Sequence, residues 1–353
     1  MPIPAKNTIE EKIRTGTPLS LEDGLACFGF DIHQTGTWAD AACRRRHGNK
    51  AYYVVNAHIN PTNICRIGCP LCAFAVKQSD AAASDRGYVL ELDDILRRAQ
   101  NAADFGATQL HLVSSVHPDK PYSWYRGIMT AIHGAFPQMR LKAWTAVEIY
   151  AFSQSTGKSV QKILADLQSV GLVCMPGGGA EIFDPEVRKK IAPNKIPVEK
   201  WLEVHRTAHH LGIPTNATML FGHWETPKHR LEHLLQLRKL QDETGGFDCF
   251  VPLVFHPQNT QIDVLPVSAK EILKTIAVCR LMLHNVEHIK AYWVTLGESL
   301  AQIALSYGAD DFDGTVFEER IHHDAGSQSP KGITEKRIQE LITGAQRTPV
   351  KTL

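Results

Sequence analysis

The 353-residue chain is expected to fold as an α/β protein, a (β/α)8 TIM-type barrel behind a short helical N-terminal extension. Three observations predict this. Amphipathic stretches end in Gly and run directly into short β-rich segments, as parallel βα units do. About eight such strands can be counted, the number that closes a barrel. With 43% hydrophobic residues the chain has enough apolar material for one large core.

In chain order, residues 1–50 read as a helical preface, with "TWADAACRRRHGNK" ending at Gly48. A first strand is expected at 52–57. "LDDILRRAQNAADFG" then leads into a strand at 109–114, and "WYRGIMTAIHGAFPQM", stopped by Pro137, into one at 140–145. "SVQKILADLQSVG" precedes 172–176, "EKWLEVHRTAHHLG" precedes 214–220, and "HRLEHLLQLRKLQDETGG" precedes 249–255. Each closing Gly suits the left-handed position just past a helix. "IKAYWV" at 289–294 and "DDFDG" at 310–314 complete the set. This gives an extension over 1–50, a barrel over 51–320 and a helical tail over 321–353. A doubly wound open sheet is the alternative; it too places its site at strand C-termini.

A formal net charge of +1 gives no case for nucleic acid or an anionic membrane surface as partner. The N-terminus is polar, and no apolar run approaches the ~20 residues of a membrane span. Eight cysteines without an export signal do not read as a disulfide framework, so a reducing, cytoplasmic setting is expected.

Three of those cysteines, Cys65, Cys69 and Cys72, form C-x3-C-x2-C within "NPTNICRIGCPLCAF", just after the first expected strand. Three thiolates can hold three irons of a [4Fe–4S] cluster and leave the fourth open to an outside ligand. The alternatives are a zinc site, with His58 as the nearest fourth ligand, and three ordinary buried thiols. His205 and His209, four apart on a helix, read as packing residues. Cys27, Cys43, Cys174, Cys249 and Cys279 read as small buried hydrophobes.

The C-x3-C-x2-C loop followed by aromatic Phe74 resembles the radical S-adenosylmethionine (SAM) enzymes. "HINPTNIC", "LVSSVHPD", "KAWTAVEI", "PGGGAEIFDPEVRKKI", "WLEVHRTAHHLGIPTNATMLFGHWET" and "LQDETGGFDCFVPLVFHPQNT" are together similar to the aminofutalosine synthases of the futalosine route to menaquinone. The resemblance spans roughly residues 40–320. It implies a radical SAM barrel whose [4Fe–4S] cluster is held by Cys65, Cys69 and Cys72, with SAM on the open iron. It also implies transfer of SAM's adenosyl radical to the vinyl carbon of 3-[(1-carboxyvinyl)oxy]benzoate, with decarboxylation, and an external low-potential electron donor. The cyclic dehypoxanthine futalosine synthases and the deazaflavin (F0) synthases are the neighbouring families. An iron–sulfur electron carrier is the alternative of another class.

The same resemblance marks SAM-side candidates. Phe74 follows the cysteines. Ser114 and Ser115 stand where the superfamily carries a Gly-rich element. Glu148 follows the third strand, and Gly177 and Gly178 follow the fourth, with Glu181 just beyond. Thr218 and Gly222 lie in "TMLFGHWE", where Thr218 replaces the usual first Gly. Each also has a plainer reading, as turn residues or solvated loop carboxylates. For the substrate and its two carboxylates the candidates are His58, Arg66, Lys142, Asn216, His223 and His256. A one-residue slip in strand parity would turn Lys142 away. No catalytic acid or base is assigned.

Overall fold

The computed structural model describes residues 6–81 and 85–352, so residues 1–5 of the expected extension and residue 353 of the tail lie outside the described residues. Three helices come first, α1 (Lys6–Thr15), α2 (Leu21–Gly29) and α3 (Ile32–His47). Ser20 and Asp23 form a capping box at the start of α2, and Asp31 caps α3 through the amide of His33. Both devices satisfy amide donors that a helix start leaves free.

The first barrel strand is broken in two, β1 (Lys50–Val54) and β2 (Asn56–Ile59). It is followed by β3 (Gln109–Leu112), β4 (Arg140–Ala143), β5 (Leu172–Cys174), β6 (Thr215–Phe221), β7 (Phe247–Val254), β8 (His288–Ile289) and β9 (Asp311–Gly314). Every pairing between these strands is parallel. β2-β3-β4-β5 form one sheet and β6-β7-β8 another, joined by the Met175–Thr215 bridge. The Lys290–Asp311 bridge joins β8 to β9, and β9 pairs with β1 at Tyr52–Asp311. The ring is therefore closed, and the open-sheet alternative fails. Closure needs a local device where β1 gives way to β2. The Asn56 amide donates to Thr315 Oγ1 at 3.0 Å and Asn56 Oδ1 accepts from the Val316 amide at 2.8 Å, so side chains replace missing ladder bonds. Gly314 is required there, because a Cβ would come within 2.3 Å of Asn56 Oδ1.

Outer helices end where the sequence places their stops. Gly106, Gly171, Gly212 and Gly245 follow four of them, all at positive φ. Two expectations need correction. The strand at 289–294 is only His288–Ile289, since the chain turns into a short helix at Trp293–Leu296, where Trp293 Nε1 donates to Gly314 O at 2.8 Å. The C-terminal tail is not wholly helical. After the helix Glu335–Gly344 it adds β10 (Thr348–Lys351), parallel to β1. β10 has β1 as its one neighbour, so Pro349 leaves no ladder bond unmade on the free side.

α3 packs against the helix Ala269–Met282, and its end is tied to the barrel floor. Asp310, fully buried, pairs with Arg280 and takes His288 Nδ1 at 2.5 Å and His47 Nε2 at 3.3 Å. His288 Nδ1 and the Arg280 guanidinium are hydrogen-bonded to Asp310, while His47 Nε2 has its hydrogen-bond partner in Glu287 O at 3.1 Å, so the cluster is a structural ion pair.

Candidate active site at the barrel mouth

The cysteine loop leaves β2 and is fixed by backbone bonds at three points, one within its own connection, one in the loop after β3 and one at the end of the helix Pro185–Ile191. The Cys65 amide donates to Val76 O at 2.9 Å, that of Arg66 to Val116 O at 3.0 Å, and that of Leu71 to Ile191 O at 3.2 Å. All three sulfurs face one cavity of ≈ 290 Å3 at the C-terminal ends of the strands. None is in a disulfide. Burial pushes the Cys69 thiol up to about 11 and raises Cys72 as well, while Lys195 opposes both. At this depth a thiolate is stable only with a cation on it.

Their spacing distinguishes the metal groups. Among the described residues the only His/Cys/Asp/Glu trio with all ligand atoms within 4.8 Å of one another is His47, His288 and Asp310. At least one pair of the three sulfurs is therefore farther apart than 4.8 Å. A single tetrahedral zinc with bonds of about 2.3 Å requires sulfurs about 3.8 Å apart. A cluster in which each cysteine holds its own iron fits the wider set.

Around the loop lie the residues expected on the SAM side. Phe74 is buried in the cavity wall, edge-on to Tyr88. The Ser114 amide donates to Glu148 Oε1 at 2.7 Å and that of Thr145 to Oε2 at 2.7 Å, so Glu148 also starts its helix through a capping box. Burial raises the Glu148 carboxyl to about 7 despite these two bonds. Ser114 Oγ is buried without a partner at the cavity wall, an orphan that a ligand would satisfy. Ser115 lines the wall through a turn held by Tyr125, whose hydroxyl donates to Ser115 O at 3.0 Å. Gly177 passes so close to β6 that a Cβ would sit 2.6 Å from Asn216 O. Gly178 also lines the cavity, but Gly179 is the one at positive φ, +93°. The Thr218 hydroxyl donates to Gly177 O at 2.7 Å, so it fastens the glycine turn. Glu181 is buried against Lys195. Burial alone would raise its carboxyl, but Lys195 outweighs it and the net shift is downward.

Deeper in the barrel the registered residues His58, His111, Lys142 and Cys174 share one layer. This settles the parity of Lys142, which lines the cavity at 9% exposure. Among the described residues it has no carboxylate within ion-pair distance and no hydrogen-bond acceptor. Lys290, also in the wall, differs: its Nζ lies 2.8 Å from Asp311 Oδ2 and 2.8 Å from Asp313 Oδ1. Burial lowers the His58 ring to about 4, and His111 Nδ1 lies 3.3 Å from His58 Nε2, so the two rings share a proton-poor contact. Asn216 and His256 line the cavity too, with His256 Nε2 at 3.0 Å from Thr295 O.

Three expected site residues are not in the wall. Arg66 is exposed, because its place in the loop turns its side chain outward while Cys65 turns in. The His223 ring is spent inside its own turn, with Nε2 at 3.0 Å from Leu220 O and Nδ1 at 2.9 Å from Glu225 Oε2. Gly222 (φ +95°) serves the same turn and donates to Glu225 Oε1 at 2.7 Å. His205 and His209 share Thr215 Oγ1, each at 2.8 Å, as packing residues. The sequence reading missed Lys195, Lys290, Tyr292, Asp313 and His322. Asp311 and Asp313 alternate along β9, as do Lys290 and Tyr292 past β8, and that period of two was a usable signal. Lys195 and His322 sit on connections with no periodicity.

The sequence matches the radical SAM superfamily over residues 59–237 and the CofH/MqnC C-terminal region over 244–351. It is 43% identical to an aminodeoxyfutalosine synthase of Thermus thermophilus, over 97% of this chain and 93% of that one. It is 38% identical to an aminodeoxyfutalosine synthase of Streptomyces coelicolor, over 98% and 92%. Among solved structures, methylornithine synthase superposes with a TM-score of 0.76 at 15% identity, covering 97% of each chain, which speaks for the fold.

Proposed function

Because the chain belongs to the radical SAM superfamily, in the group with the CofH/MqnC C-terminal region, we propose that it works as an aminofutalosine (aminodeoxyfutalosine) synthase. It joins the adenosyl group of SAM to 3-[(1-carboxyvinyl)oxy]benzoate, with loss of carbon dioxide, to give 6-amino-6-deoxyfutalosine for menaquinone biosynthesis. The observation that carries the reading is one cavity holding both the three-cysteine loop and a lysine, Lys142, that has no ion-pair partner among the described residues. A [4Fe–4S] cluster with SAM supplies a carbon-centred adenosyl radical there.

The protein's own residues do the positioning. Cys65, Cys69 and Cys72 are the iron ligands. Ser114, Glu148 and the Gly177–Gly179 turn form the wall on which SAM lies, with Phe74 beside it. Lys142 takes a substrate carboxylate, and His58, Asn216 and His256 line the same chamber. The walls hold the vinyl carbon against C5′ and keep water out, where orientation accounts for much of the rate. Reduction comes from an external low-potential donor, and a reducing cytoplasm is the compartment in which such a cluster survives. Among the described residues no helix is long and apolar enough to cross a membrane.

The test is anaerobic turnover with SAM labelled in its ribose and the enolpyruvyl ether of 3-hydroxybenzoate. Label is expected in a larger adenine-containing product, with methionine alongside. Label confined to 5′-deoxyadenosine, together with turnover of dehypoxanthine futalosine, would move the assignment to the cyclising relatives.

A further inference from the structure

The end of β9 and the segment that follows it fold back across the barrel mouth, and their construction is unusual. Asp313, Val316 and Glu318 all have positive φ, at +71°, +49° and +64°. Left-handed backbone costs of order 1–3 kcal/mol per non-Gly residue, and it is steric misfortune for β-branched Val316 above all. The surrounding structure holds these turns in place. Buried Glu319 accepts from the His322 amide at 2.9 Å and meets His323 Nδ1 at 2.7 Å. His323 Nε2 lies 3.0 Å from Ser329 O, and Ser329 Oγ donates to Val294 O at 2.7 Å. Asn259 Nδ2 donates to Asp324 O at 2.9 Å.

What this scaffold presents is the His322 side chain. It lines the cavity, and among the described residues neither ring nitrogen has a hydrogen-bond partner. Its ring stands edge-on to Tyr292, with centroids 5.3 Å apart. The Tyr292 hydroxyl is likewise without a partner among the described residues and lines the same cavity. Burial lowers the His322 pKa, with Glu319 opposing, which favours the neutral ring.

We propose that His322, with Tyr292 beside it, is the substrate-contacting pair that hydrogen-bonds the enolpyruvyl carboxylate, while Lys142 holds the benzoate carboxylate. This rests on the functional reading above. Addition to the vinyl carbon leaves the unpaired electron on the carbon that bears the enolpyruvyl carboxylate. That carbon bonds to the arene as its bond to the ether oxygen breaks. Its carboxylate then leaves as carbon dioxide as the carbon becomes a ketone, with one electron returned to the oxidised cluster, so the enolpyruvyl carboxylate is the one lost. The benzoate carboxylate sits on an intact ring. A full cation stabilises a carboxylate more than the neutral carbon dioxide it becomes, and would oppose the loss. Neutral donors orient the group at smaller cost to its departure. A lysine suits the carboxylate that stays.

The experiment measures binding to the SAM-loaded cluster enzyme by anaerobic calorimetry without reductant. It compares the enolpyruvyl ether with 3-(vinyloxy)benzoate, which lacks only the enolpyruvyl carboxylate. His322→Ala is expected to weaken binding of the ether about tenfold or more. It should leave binding of the vinyloxy analogue within about twofold of wild type, and His322→Gln should recover part of the loss. Under turnover, His322→Ala should release a larger share of 5′-deoxyadenosine per adenosylated product, with iron content unchanged. Equal weakening of both ligands by His322→Ala would overturn the proposal, because the histidine would then be shaping the cavity as a whole. Failure of the wild type to bind the ether would refute the functional reading, and this proposal with it.

Discussion

Two buried lysines in one barrel should respond in different ways to the same substitution. Lys290 is 7% exposed and each of its carboxylate partners, Asp311 and Asp313, lies 2.8 Å away. Lys290→Met strands two buried carboxylates, and breaking a buried pair from one side costs about 3–5 kcal/mol. With an unfolding entropy near 2.1 cal/mol/K per residue, a chain of this length loses roughly 4–7 °C in its unfolding midpoint. Lys142, at 9% exposure, has no such partner among the described residues. Lys142→Met removes a side chain that makes no ion pair among the described residues, so the midpoint should fall far less than for Lys290→Met. The cost appears in binding. A buried cation lost from opposite a carboxylate is worth about 2–5 kcal/mol, which weakens substrate affinity by at least about 30-fold. Thermal unfolding followed by circular dichroism at one scan rate, and anaerobic calorimetry with SAM present, read the two effects separately. A drop in midpoint for Lys142→Met comparable to that of Lys290→Met, with substrate affinity unchanged, would show Lys142 to be structural and refute the charge argument.

Alanine at Cys65, Cys69 or Cys72 should abolish both the iron–sulfur absorbance and SAM cleavage while leaving the far-ultraviolet dichroism intact, since the loop is held by backbone bonds. Cys174→Ala should keep its cluster; the reverse pattern would undo the ligand assignment. Gly177→Ala should cost about 1–3 kcal/mol and impair SAM binding, because the new Cβ meets backbone atoms of β6 that cannot rotate away. SAM affinity and unfolding midpoint both at wild-type values would remove the glycine turn from the site.

The sequence by itself determined what lies close along the chain. Helix–strand alternation, the glycine stops and the spacing of Cys65, Cys69 and Cys72 are set by the periods of helix and strand and by a few covalent bonds, so they are legible without a fold. Which strand ends face the mouth follows from this, because a side chain at a strand's C-terminal end in a closed barrel has few places to go, and the family resemblance marked which of those residues to expect in the cavity. Tertiary structure decided the partners. Lys142 and Lys290 look alike in sequence, yet only Lys290 meets two aspartates, because β8 and β9 are bridged at Lys290–Asp311 while Lys142 registers with His111 and Cys174. His223 and Arg66 were plausible at the mouth, and the geometry of single turns took them out of it. His322 carried no signal, since what aims it at the cavity is a segment with three separate left-handed residues held by Glu319, Ser329 and Val294. Such a conformation is unfavourable in isolation, and only contacts between distant parts of the chain can hold it.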